Sequence, residues 1–347
     1  MTPAAPDTAF RTRIDHTLME FVERQRAIFA GMGPDLDELA DAAAGFVGGG
    51  KRLRPQFCLA GWLVAGGDPD EPGIVPAAAS LEWLQGSALV HDDLMDGSDT
   101  RRGRPSVHRA FEARHREEGR EGDPVGFGAS TAVLLGDLML SWCDELFRAS
   151  TLPTVPHALM YLDLCKTEVV AGQFLDVVGQ TRPSVTVAEA MRIIRFKSAK
   201  YTVERPLHIG AALAGAGPAL IDGLTAVALP LGEAFQLRDD VLGVFGDPEV
   251  TGKPAGDDLR EGKRTVLVAR THELADAAGR ELLAGGLGTA EGVGALTALI
   301  ESSGALDAVE ADISRLEADA DAAIDRLGPI ARAVLGPLAL TATRRTR

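Results

Sequence analysis

The chain has 347 residues, of which 46% are hydrophobic and 5% aromatic, and it carries a formal net charge of −15. This composition supports a sizeable core and favours packed helices over sheets, because aromatic strand formers are sparse. A chain this acidic repels nucleic acid and anionic membranes unless its basic residues are clustered, and we expect no nucleic-acid partner and no membrane span.

Helical spacing dominates the N-terminal part of the chain. Apolar residues recur at intervals of three and four in Phe10–Phe29, Leu36–Val47 and Leu53–Val64, which predicts three helices. A fourth helix is predicted from Val75 to Met95. It should end in the loop Gly97–Pro105, where glycines and a proline interrupt the pattern.

The remainder of the chain is predicted to contain two loops and several further helices. A charged, Gly-containing stretch, Arg114–Pro124, is predicted to be an exposed loop. Asp247–Lys263 is a second polar, Gly-rich loop and a candidate lid. The stretch Thr265–Leu340 is predicted to be Ala-rich helix. Further helices are expected near 129–148, 155–180, 186–205 and 224–245.

The organisation of the chain is simple. No repeat of fixed period and no long linker divides it, so one all-α domain over 1–347 is expected, with 1–9 predicted to be a disordered tail. The most apolar stretches are Ala129–Trp142 and Leu207–Phe235. Both are predicted to be buried helices and not membrane spans, because the first is short and the second is interrupted by prolines.

The cysteines indicate the cellular compartment in which the protein is expected. Cys58, Cys143 and Cys165 lie far apart in apolar surroundings and form neither a disulfide framework nor a zinc-binding spacing. The first residues are polar and lack the apolar core of a secretion signal. A reducing cytoplasm is therefore the expected location.

The most informative segment runs from His91 to Gly103. On a helix, Asp92 and Asp96 lie one turn apart and share a face. Two carboxylates side by side repel each other, so the pair favours binding of a divalent cation, and magnesium prefers such oxygen ligands. Arg101 and Arg102 follow and can bind phosphate. The alternative is an exposed acidic helix end followed by a basic loop.

A second acidic pair ends another apolar stretch. Asp239 and Asp240 follow Gln236, and Asp257 and Asp258 come shortly afterwards. Carboxylates at the ends of two apolar helices are poorly explained as surface residues. We expect them to face each other across a cavity that holds metal ions and a diphosphate.

Basic residues are grouped despite the acidic composition. Such groups are often solvated helix faces, but their position beside motif carboxylates indicates anion sites. The groups are Lys51/Arg52/Arg54, Arg101/Arg102/Arg104, Lys197/Lys200 and Lys253/Lys263/Arg264.

Together these motifs resemble the polyprenyl synthetase (trans-isoprenyl diphosphate synthase) family, and within it the bacterial geranylgeranyl diphosphate synthases. The resemblance extends to Gly49–Pro55, Lys197–Ala199 and Gly252–Leu259, in the order of the family. It implies an all-α fold of isoprenoid synthase type, a single large helical bundle around a central apolar cavity. It also implies a homodimer, magnesium (three ions per site), and isopentenyl diphosphate and allylic diphosphates as substrates.

The resemblance also assigns roles to individual positions. The implied catalytic residues are Asp92, Asp96, Lys197, Gln236 and Asp239. The implied magnesium ligands are Asp92, Asp96, Asp239 and Asp240. The implied isopentenyl diphosphate site contains Lys51, Arg54, Gln85 and Arg102, and the implied allylic diphosphate site contains Arg101, Lys197, Ser198, Gln236 and Lys253. Lys200 is an alternative to Lys197, since it lies three residues away on the same helix.

Two positions depart from the family pattern. Gln85 stands where many members have a histidine, and its amide can still donate to phosphate without a charge. Gly243 stands where the second motif often has a third aspartate, and Asp247, Asp257 or a water is expected to compensate. His91, Glu82 and Trp83 are interpreted as structural residues.

Product length is predicted from the helix that leads into Asp92. One helical turn rises about 5.4 Å, close to one extended isoprene unit. Ser87 and Ala88 are small and lie one turn before the metal ligands, so a C15 chain should pass them. Leu84 or Trp83 would then form the floor, which predicts mainly C20 product. The alternative is that another helix, within Ala132–Leu140, sets the floor.

Other activities stay open at this point. A synthase of another length (C15, or C25 and longer) would share these motifs. A class I terpene cyclase also ionises allylic diphosphates, but its second motif differs and it has no use for Lys51 and Arg54. An inert partner subunit is expected to lose the acidic pairs, which this chain keeps.

Overall fold

The computed structural model describes residues 8–247 and 255–343, and helices account for almost all of its regular structure. The predicted all-α fold is confirmed. The predicted ligand Lys253, the central part of the predicted lid and residues 1–7 of the predicted tail lie outside the described residues.

The elements follow one another with short connections. In chain order they are α1 (Thr8–Ala30), α2 (Leu36–Val47), α3 (Leu53–Val64), α4 (Ile74–Asp96), β1 (Thr100–Arg101), β2 (Arg104–Pro105), α5 (Val107–Glu117), α6 (Pro124–Arg148), α7 (Val155–Gln180), α8 (Val187–Ile193), a π-helix (Ile194–Glu204), α9 (Arg205–Leu213), α10 (Pro218–Phe245), α11 (Asp257–Arg260), α12 (Val266–Leu274), α13 (Ala277–Gly286), α14 (Val293–Ser302), α15 (Ala305–Leu327) and α16 (Pro329–Thr343).

The described chain forms two compact units that alternate along the sequence. Residues 8–161 and 206–217 belong to the first unit. Residues 162–205, 218–247 and 255–343 belong to the second. The single domain over 1–347 stays a prediction.

Helix α4 is the core helix of the first unit. It packs against α1, α3, α5 and α6, and most of its residues are buried because apolar side chains surround it on all sides. Trp83 packs between Phe21 and Trp142, with ring centroids 5.6 Å and 5.1 Å away. Such contacts place the apolar part of α4 firmly in the core.

Helix α9 completes the first unit from far along the chain. A Cβ atom at Gly61 of α3 would lie 2.0 Å from the carbonyl oxygen of Leu207, and one at Gly210 of α9 would lie 1.7 Å from that of Cys58. Any larger residue at either glycine would therefore push the two backbones apart. Residues separated by more than a hundred positions thus form one closely packed helix pair.

Helix α10 has the same role in the second unit. It packs against the π-helix and α15, and its buried residues Leu237 and Val241 join a core with Leu267, Val309 and Ile313. The π-helix is 11 residues long, although most π-helical segments are single turns that occur at functional sites.

Several sequence predictions needed correction. Arg114–Glu117 is the last turn of α5 and not loop, because the charged residues of α5 cover a buried face that includes Phe111 and His115. Thr265–Leu340 is divided into α12 to α16 by capped ends, such as the Asp276 carboxylate that accepts from the Gly279 N–H at 2.8 Å. Thr8 and Ala9, predicted as tail, are helical.

Two helices, α6 and α10, are long and apolar enough to cross a membrane by length and composition alone. In the 18-residue apolar window of each helix, the buried share is 33% for α6 and 50% for α10. Core helices of soluble proteins pass the same test, and both helices pack within their own units, so the prediction of buried helices remains the simpler interpretation.

Candidate active site

The end of α4 is shaped by a tight turn. Gly97 adopts a left-handed conformation (φ 67°), and the N–H of Ser98 donates to the carbonyl oxygen of Asp93 at 2.9 Å. This is a common way to end a helix, because it satisfies carbonyls that have no partner within the helix. The chain then reverses in a two-residue hairpin turn at Arg102 and Gly103, both with positive φ.

The hairpin returns Arg101 to the acidic helix end. Its guanidinium donates to both carboxylate oxygens of Asp93, with Nε at 2.9 Å from Oδ1 and 3.1 Å from Oδ2. The same guanidinium lies 3.7 Å from Oδ2 of Asp92. Asp93 is only 1% exposed, so it needs such a partner. Arg101 is therefore held beside the predicted metal ligand Asp92.

Asp93 is a candidate positioning residue that the motif spacing did not identify. The helical spacing identifies Asp92 and Asp96 as a pair on one face, and it leaves Asp93 pointing elsewhere. A buried carboxylate next to a predicted site is the available signal, since it predicts a cationic partner close by. Asp93 fixes the position of Arg101.

A group of cations lies near the same hairpin. Arg52 is 2% exposed, and its guanidinium forms ion pairs at 2.7 Å with Glu82 and Asp15. These ion pairs hold buried charges in the folded protein, so Arg52 and Glu82 have a structural role. For Glu82 this agrees with its interpretation from the sequence. Arg102 reaches the loop between α2 and α3, because a Cβ atom at Gly50 would lie 3.7 Å from one of its terminal nitrogens.

The surroundings of Arg102 are electrostatically unfavourable for another cation. The surrounding protein partly dehydrates its guanidinium and so lowers its pKa. The charge of Glu82 opposes this effect, whereas the positive charges of Arg101, Arg52 and Arg54 add to it. Arginine still stays protonated. The result is a local excess of positive charge that an anion such as diphosphate would offset.

The predicted residues of the first unit are distributed over three elements. Lys51 lies just before α3 and is exposed, and Arg54 lies in the first turn of α3. Gln85 is half-buried on α4, two turns before Asp92. The contact of Arg102 with the α2–α3 loop connects the hairpin to the segment that carries Lys51.

The predicted product-length residues lie along α4. Ser87 is 4% exposed, Leu84 2% and Trp83 0%, whereas Ala88 is half-buried. Trp83 belongs to the aromatic cluster of the first unit's core. His91 contacts the carbonyl oxygen of Val133 on α6 at 3.2 Å, which agrees with its interpretation as a structural residue.

In the second unit, Lys197 is bound by a carboxylate. Its Nζ lies 2.6 Å from Oδ2 of Asp176, a residue of α7 that is 7% exposed. The π-helix and α7 are in close contact here, because a Cβ atom at Gly172 would lie 2.4 Å from the backbone nitrogen of Lys197. Asp176 is a second candidate positioning residue, and no sequence motif identified it.

Lys200, the alternative to Lys197, belongs to a different network. Its Nζ lies 2.8 Å from Glu204 and 3.2 Å from Glu168. Arg205 also donates to both carboxylate oxygens of Glu168, at 2.6 Å and 2.7 Å. Burial would raise the pKa of Glu168, but its contacts with Arg205 and Lys200 hold that pKa below its usual value. Lys200 therefore serves this ion network, and Lys197 is the better candidate for a phosphate ligand.

The end of α10 is rich in negative charge. Asp239 is exposed, whereas Asp240 is 7% exposed and accepts a hydrogen bond from the Gln236 amide at 2.8 Å. Burial raises the pKa of Asp240 well above its ordinary value, and the charges of Asp258 and Asp239 raise it further. This helix end therefore tends to take up a cation or a proton.

Asp258 occupies the space beside Gly243. The N–H of Gly256 donates to the carbonyl oxygen of Gly243 at 3.0 Å, which brings the returning chain onto α10. A Cβ atom at Gly243 would lie 2.1 Å from Oδ2 of Asp258. Asp247, Asp257 or a water was expected to compensate for the missing carboxylate at position 243. Asp257 instead forms an ion pair with Arg260 at 2.6 Å.

Within the described residues, no group of three or more His, Cys, Asp or Glu side chains is arranged to hold a metal ion by itself. Magnesium commonly uses only one or two carboxylates and completes its shell with water and substrate phosphates. Asp92 and Asp96 on α4, and Asp239 on α10, supply such oxygen atoms. Burial and the charges of Asp258 and Asp239 disfavour the ionised form of Asp240, an effect that a bound cation would offset. The residues present therefore fit magnesium.

Comparison with known proteins adds an independent line of evidence. The sequence pattern of the polyprenyl synthetase family matches residues 37–301. A geranylgeranyl pyrophosphate synthase from Corynebacterium glutamicum, solved with isoprenyl diphosphate and magnesium, is 41% identical, with a TM-score of 0.93. That match covers 97% of this chain and 99% of the other.

Relatives that are named for different product lengths have the same sequence identity to this chain. A geranylfarnesyl diphosphate synthase from Aeropyrum pernix is 33% identical over 305 residues, which cover 86% of this chain and 87% of the relative. A geranylgeranyl diphosphate synthase from Saccharolobus solfataricus is 33% identical over 262 residues, covering 71% of this chain and 70% of the relative. The sequence similarity alone therefore does not separate product lengths.

Proposed function

Because this chain belongs to the polyprenyl synthetase family, we propose that it condenses isopentenyl diphosphate with allylic diphosphates and releases mainly the C20 product, geranylgeranyl diphosphate. The observation that supports this most directly is the end of α4. There Asp92 and Asp96 lie one turn apart, and Asp93 holds Arg101 beside them. This arrangement suits the recognition of a diphosphate together with a divalent cation.

We assign the binding of the diphosphate leaving group to cationic residues of this chain. Arg101 and Lys197, with Lys253, bind the allylic diphosphate as its C–O bond breaks and an allylic cation forms. Asp92, Asp96, Asp239 and Asp240 are the residues that would hold magnesium. Bound magnesium would neutralise the negative charge that develops on the departing diphosphate. The electrostatic stabilisation of that charge is the main requirement of the step.

The second substrate is assigned to the cation group of the first unit. Lys51, Arg54, Gln85 and Arg102 bind isopentenyl diphosphate, whose double bond attacks the allylic cation. One proton then leaves the new chain, with the departing diphosphate as the acceptor, and the product is longer by one C5 unit. The remaining predicted site residues, Ser198 and Gln236, would orient the allylic diphosphate. Gln236 is oriented by its hydrogen bond to Asp240.

Three further properties are part of the proposal. Three magnesium ions act per active site, the enzyme works in the cytoplasm, and it forms a homodimer. Exposed apolar side chains on α6 support the homodimer: Val133 is 44% and Leu134 63% exposed. Exposed apolar side chains mark an interface where they form a contiguous patch. Light scattering after size-exclusion chromatography measures the oligomeric state.

Product length is proposed to depend on Ser87 and Ala88. Ala88→Phe or Ser87→Phe should shift the product from C20 toward C15, because an aromatic ring one turn before Asp92 blocks further growth of the chain. The first condensation should continue. If both variants still release mainly C20 product, Ala132–Leu140 of α6 is the better candidate for the floor.

One experiment tests the proposed reaction. The purified protein is incubated with magnesium, isopentenyl diphosphate and farnesyl diphosphate, and the products are identified by mass spectrometry. Elongation to geranylgeranyl diphosphate supports the proposal, and a C25 or longer product would correct the length. A cyclic hydrocarbon would indicate a terpene cyclase, and the absence of turnover would indicate an inert subunit.

A further inference from the structure

The segment between α2 and α3, residues 48–52, has a backbone that needs support from outside. Gly49 and Gly50 have φ values of 142° and 108°, and Arg52 has a φ of 52° although it carries a side chain. Such conformations persist where the surrounding structure holds them, and glycines lose much conformational freedom when they are ordered. The conformation of this segment, which carries the proposed substrate ligand Lys51, therefore depends on contacts with other elements.

Helix α1 supplies two of these contacts from one face. Arg11 and Asp15 lie four residues apart, so their side chains are neighbours on the helix. Nη2 of Arg11 donates to the carbonyl oxygen of Gly50 at 2.6 Å. The carboxylate of Asp15 accepts from Nε of Arg52 at 2.7 Å. Helix α1 thus contacts the residues on both sides of Lys51.

The two contacts differ in the support that they receive from other residues. Arg52 also donates to the Glu82 carboxylate at 2.7 Å and to the carbonyl oxygen of Val47, so Asp15 is one partner among several. The Arg11 contact joins residues 39 positions apart and reaches the backbone of a glycine directly. Arg11 is therefore the residue of α1 whose loss should most affect the glycine backbone before Lys51.

The position of Gly50 matters because cations surround it. A Cβ atom at Gly50 would lie 3.7 Å from Nη2 of Arg102 and 3.9 Å from Nη1 of Arg52. A shift of this backbone would change the distances between these cations and Lys51. A diphosphate that contacts several of them at once binds best when their geometry is fixed in advance.

We propose that Arg11 is a positioning residue for isopentenyl diphosphate, which holds the carbonyl group of Gly50 and so fixes the backbone that presents Lys51 to the substrate. The inference rests on the proposed function, since that function assigns Lys51 to this substrate. Ordering a glycine-rich segment costs conformational entropy. A segment that is ordered before the substrate arrives spares binding that cost. Arg11 should therefore affect isopentenyl diphosphate and not the allylic substrate.

Direct binding measurements test this role. Isothermal titration calorimetry measures the Kd of isopentenyl diphosphate, with magnesium and an unreactive thio analogue of the allylic diphosphate present. Arg11→Met should raise this Kd about three- to tenfold, the range that corresponds to the net contribution of one hydrogen bond. An equal Kd in the wild type and Arg11→Met would overturn the proposal.

The same helix offers a matched control. Arg13 donates to the carbonyl oxygens of Pro69 and Glu71, which lie in the loop between α3 and α4. Arg13→Met therefore removes the same charge from α1 without removing the contact with Gly50. Its Kd for isopentenyl diphosphate should equal that of the wild type. An equal rise of the Kd in both variants would show that the charge of α1 decides binding, and would overturn the proposal.

Limited proteolysis separates positioning from attraction of the substrate by charge. The rate at which trypsin cleaves after Lys51 in the ligand-free protein reports how often this segment opens. Cleavage should be faster in Arg11→Met than in the wild type and Arg13→Met. Weaker substrate binding with an unchanged cleavage rate would show that Arg11 acts through its charge alone, and this outcome would also overturn the proposal.

Steady-state kinetics complete the test. In Arg11→Met, KM for isopentenyl diphosphate should rise, whereas kcat and KM for the allylic diphosphate should not change. A rise in both KM values would indicate a general structural role of α1 and contradict the proposal. A wild type that neither binds isopentenyl diphosphate nor elongates would contradict the proposed function itself. Equal behaviour of the wild type and Arg11→Met contradicts only the role of Arg11.

Discussion

The two acidic helix ends balance their charges in different ways. At the end of α4, the buried Asp93 is matched by Arg101, which also lies near Asp92. At the end of α10, the buried Asp240 has Asp239 and Asp258 as charged neighbours, and its pKa is raised well above the ordinary value. The first end is organised by the protein's own ion pair. The second end depends more strongly on a bound cation or a proton.

This difference predicts which properties each region controls. A helix end that is already charge-balanced can hold its geometry without metal, so changes there should affect substrate binding and turnover. An end with excess negative charge should respond to metal and to pH in its stability. The following predictions test this contrast, beginning with the largest effect.

Asp92→Ala and Asp96→Ala should each lower turnover by at least about a hundredfold, the scale of losing one preorganised electrostatic contact. Steady-state elongation kinetics measure this effect. The fold should survive, because Asp92 and Asp96 are half-buried residues in the last turns of α4, and circular dichroism checks this. Asp222→Ala, which removes an exposed carboxylate near the start of α10, is the control. Near-normal turnover in either variant would contradict the assignment of metal ligands.

Asp93→Asn should release Arg101 and raise KM for the allylic diphosphate by about tenfold, because a charge-assisted hydrogen bond contributes about 1.5–3 kcal/mol. The free energy of unfolding should fall as well, since the neutral amide no longer balances Arg101. Asp99→Asn breaks the exposed ion pair with Arg109 and should change stability by less than about 1 kcal/mol. An unchanged KM would show that Asp93 is a core residue with no effect on substrate binding.

Asp240→Asn should stabilise the metal-free protein at neutral pH, because the neutral amide avoids the cost of a carboxylate whose pKa is raised by burial and by the charges of Asp258 and Asp239. The folded state holds the Asp240 proton more tightly than the unfolded state, so the wild type loses stability as pH rises above the ordinary pKa of 3.8. The difference between variant and wild type should therefore vanish below that pH.

Saturating magnesium should reduce the same difference, because a bound cation stabilises the ionised carboxylate. Chemical denaturation at several pH values, with and without magnesium, measures both effects. Asp222→Asn serves as the control on the same helix. A difference that does not depend on pH would contradict the raised pKa.

Local patterns made the helices and the motif carboxylates predictable. The predicted helix Val75–Met95 agrees with α4 (Ile74–Asp96) to within one residue at each end, because glycines flank a long apolar run. Helix α5 was missed because its outer face carries so many charges that the buried positions are hidden in the sequence. Motif spacing identified Asp92 and Asp96, since neighbours on one helical face can be counted directly.

The supporting carboxylates could not be predicted in this way. Asp93, Asp176 and Asp258 each contact a residue on another element: Arg101, Lys197 and Gly243 respectively. Such partners depend on how elements pack, and no fixed spacing encodes them. Helix propensity alone would make Gly243→Asp stabilising, whereas in the structure a carboxylate oxygen of Asp258 lies in the space of the new side chain.

The alternation of the two units along the chain has a consequence for biosynthesis. Helix α9 packs against α3, with Gly61 and Gly210 at the contact, although most of the second unit's α7, α8 and π-helix is translated between them. During synthesis, the surface of α3 that receives α9 therefore stays uncovered until α9, which ends at Leu213, has left the ribosome. A fragment that ends at residue 161 would lack this covering helix and expose that surface to aggregation or to chaperones.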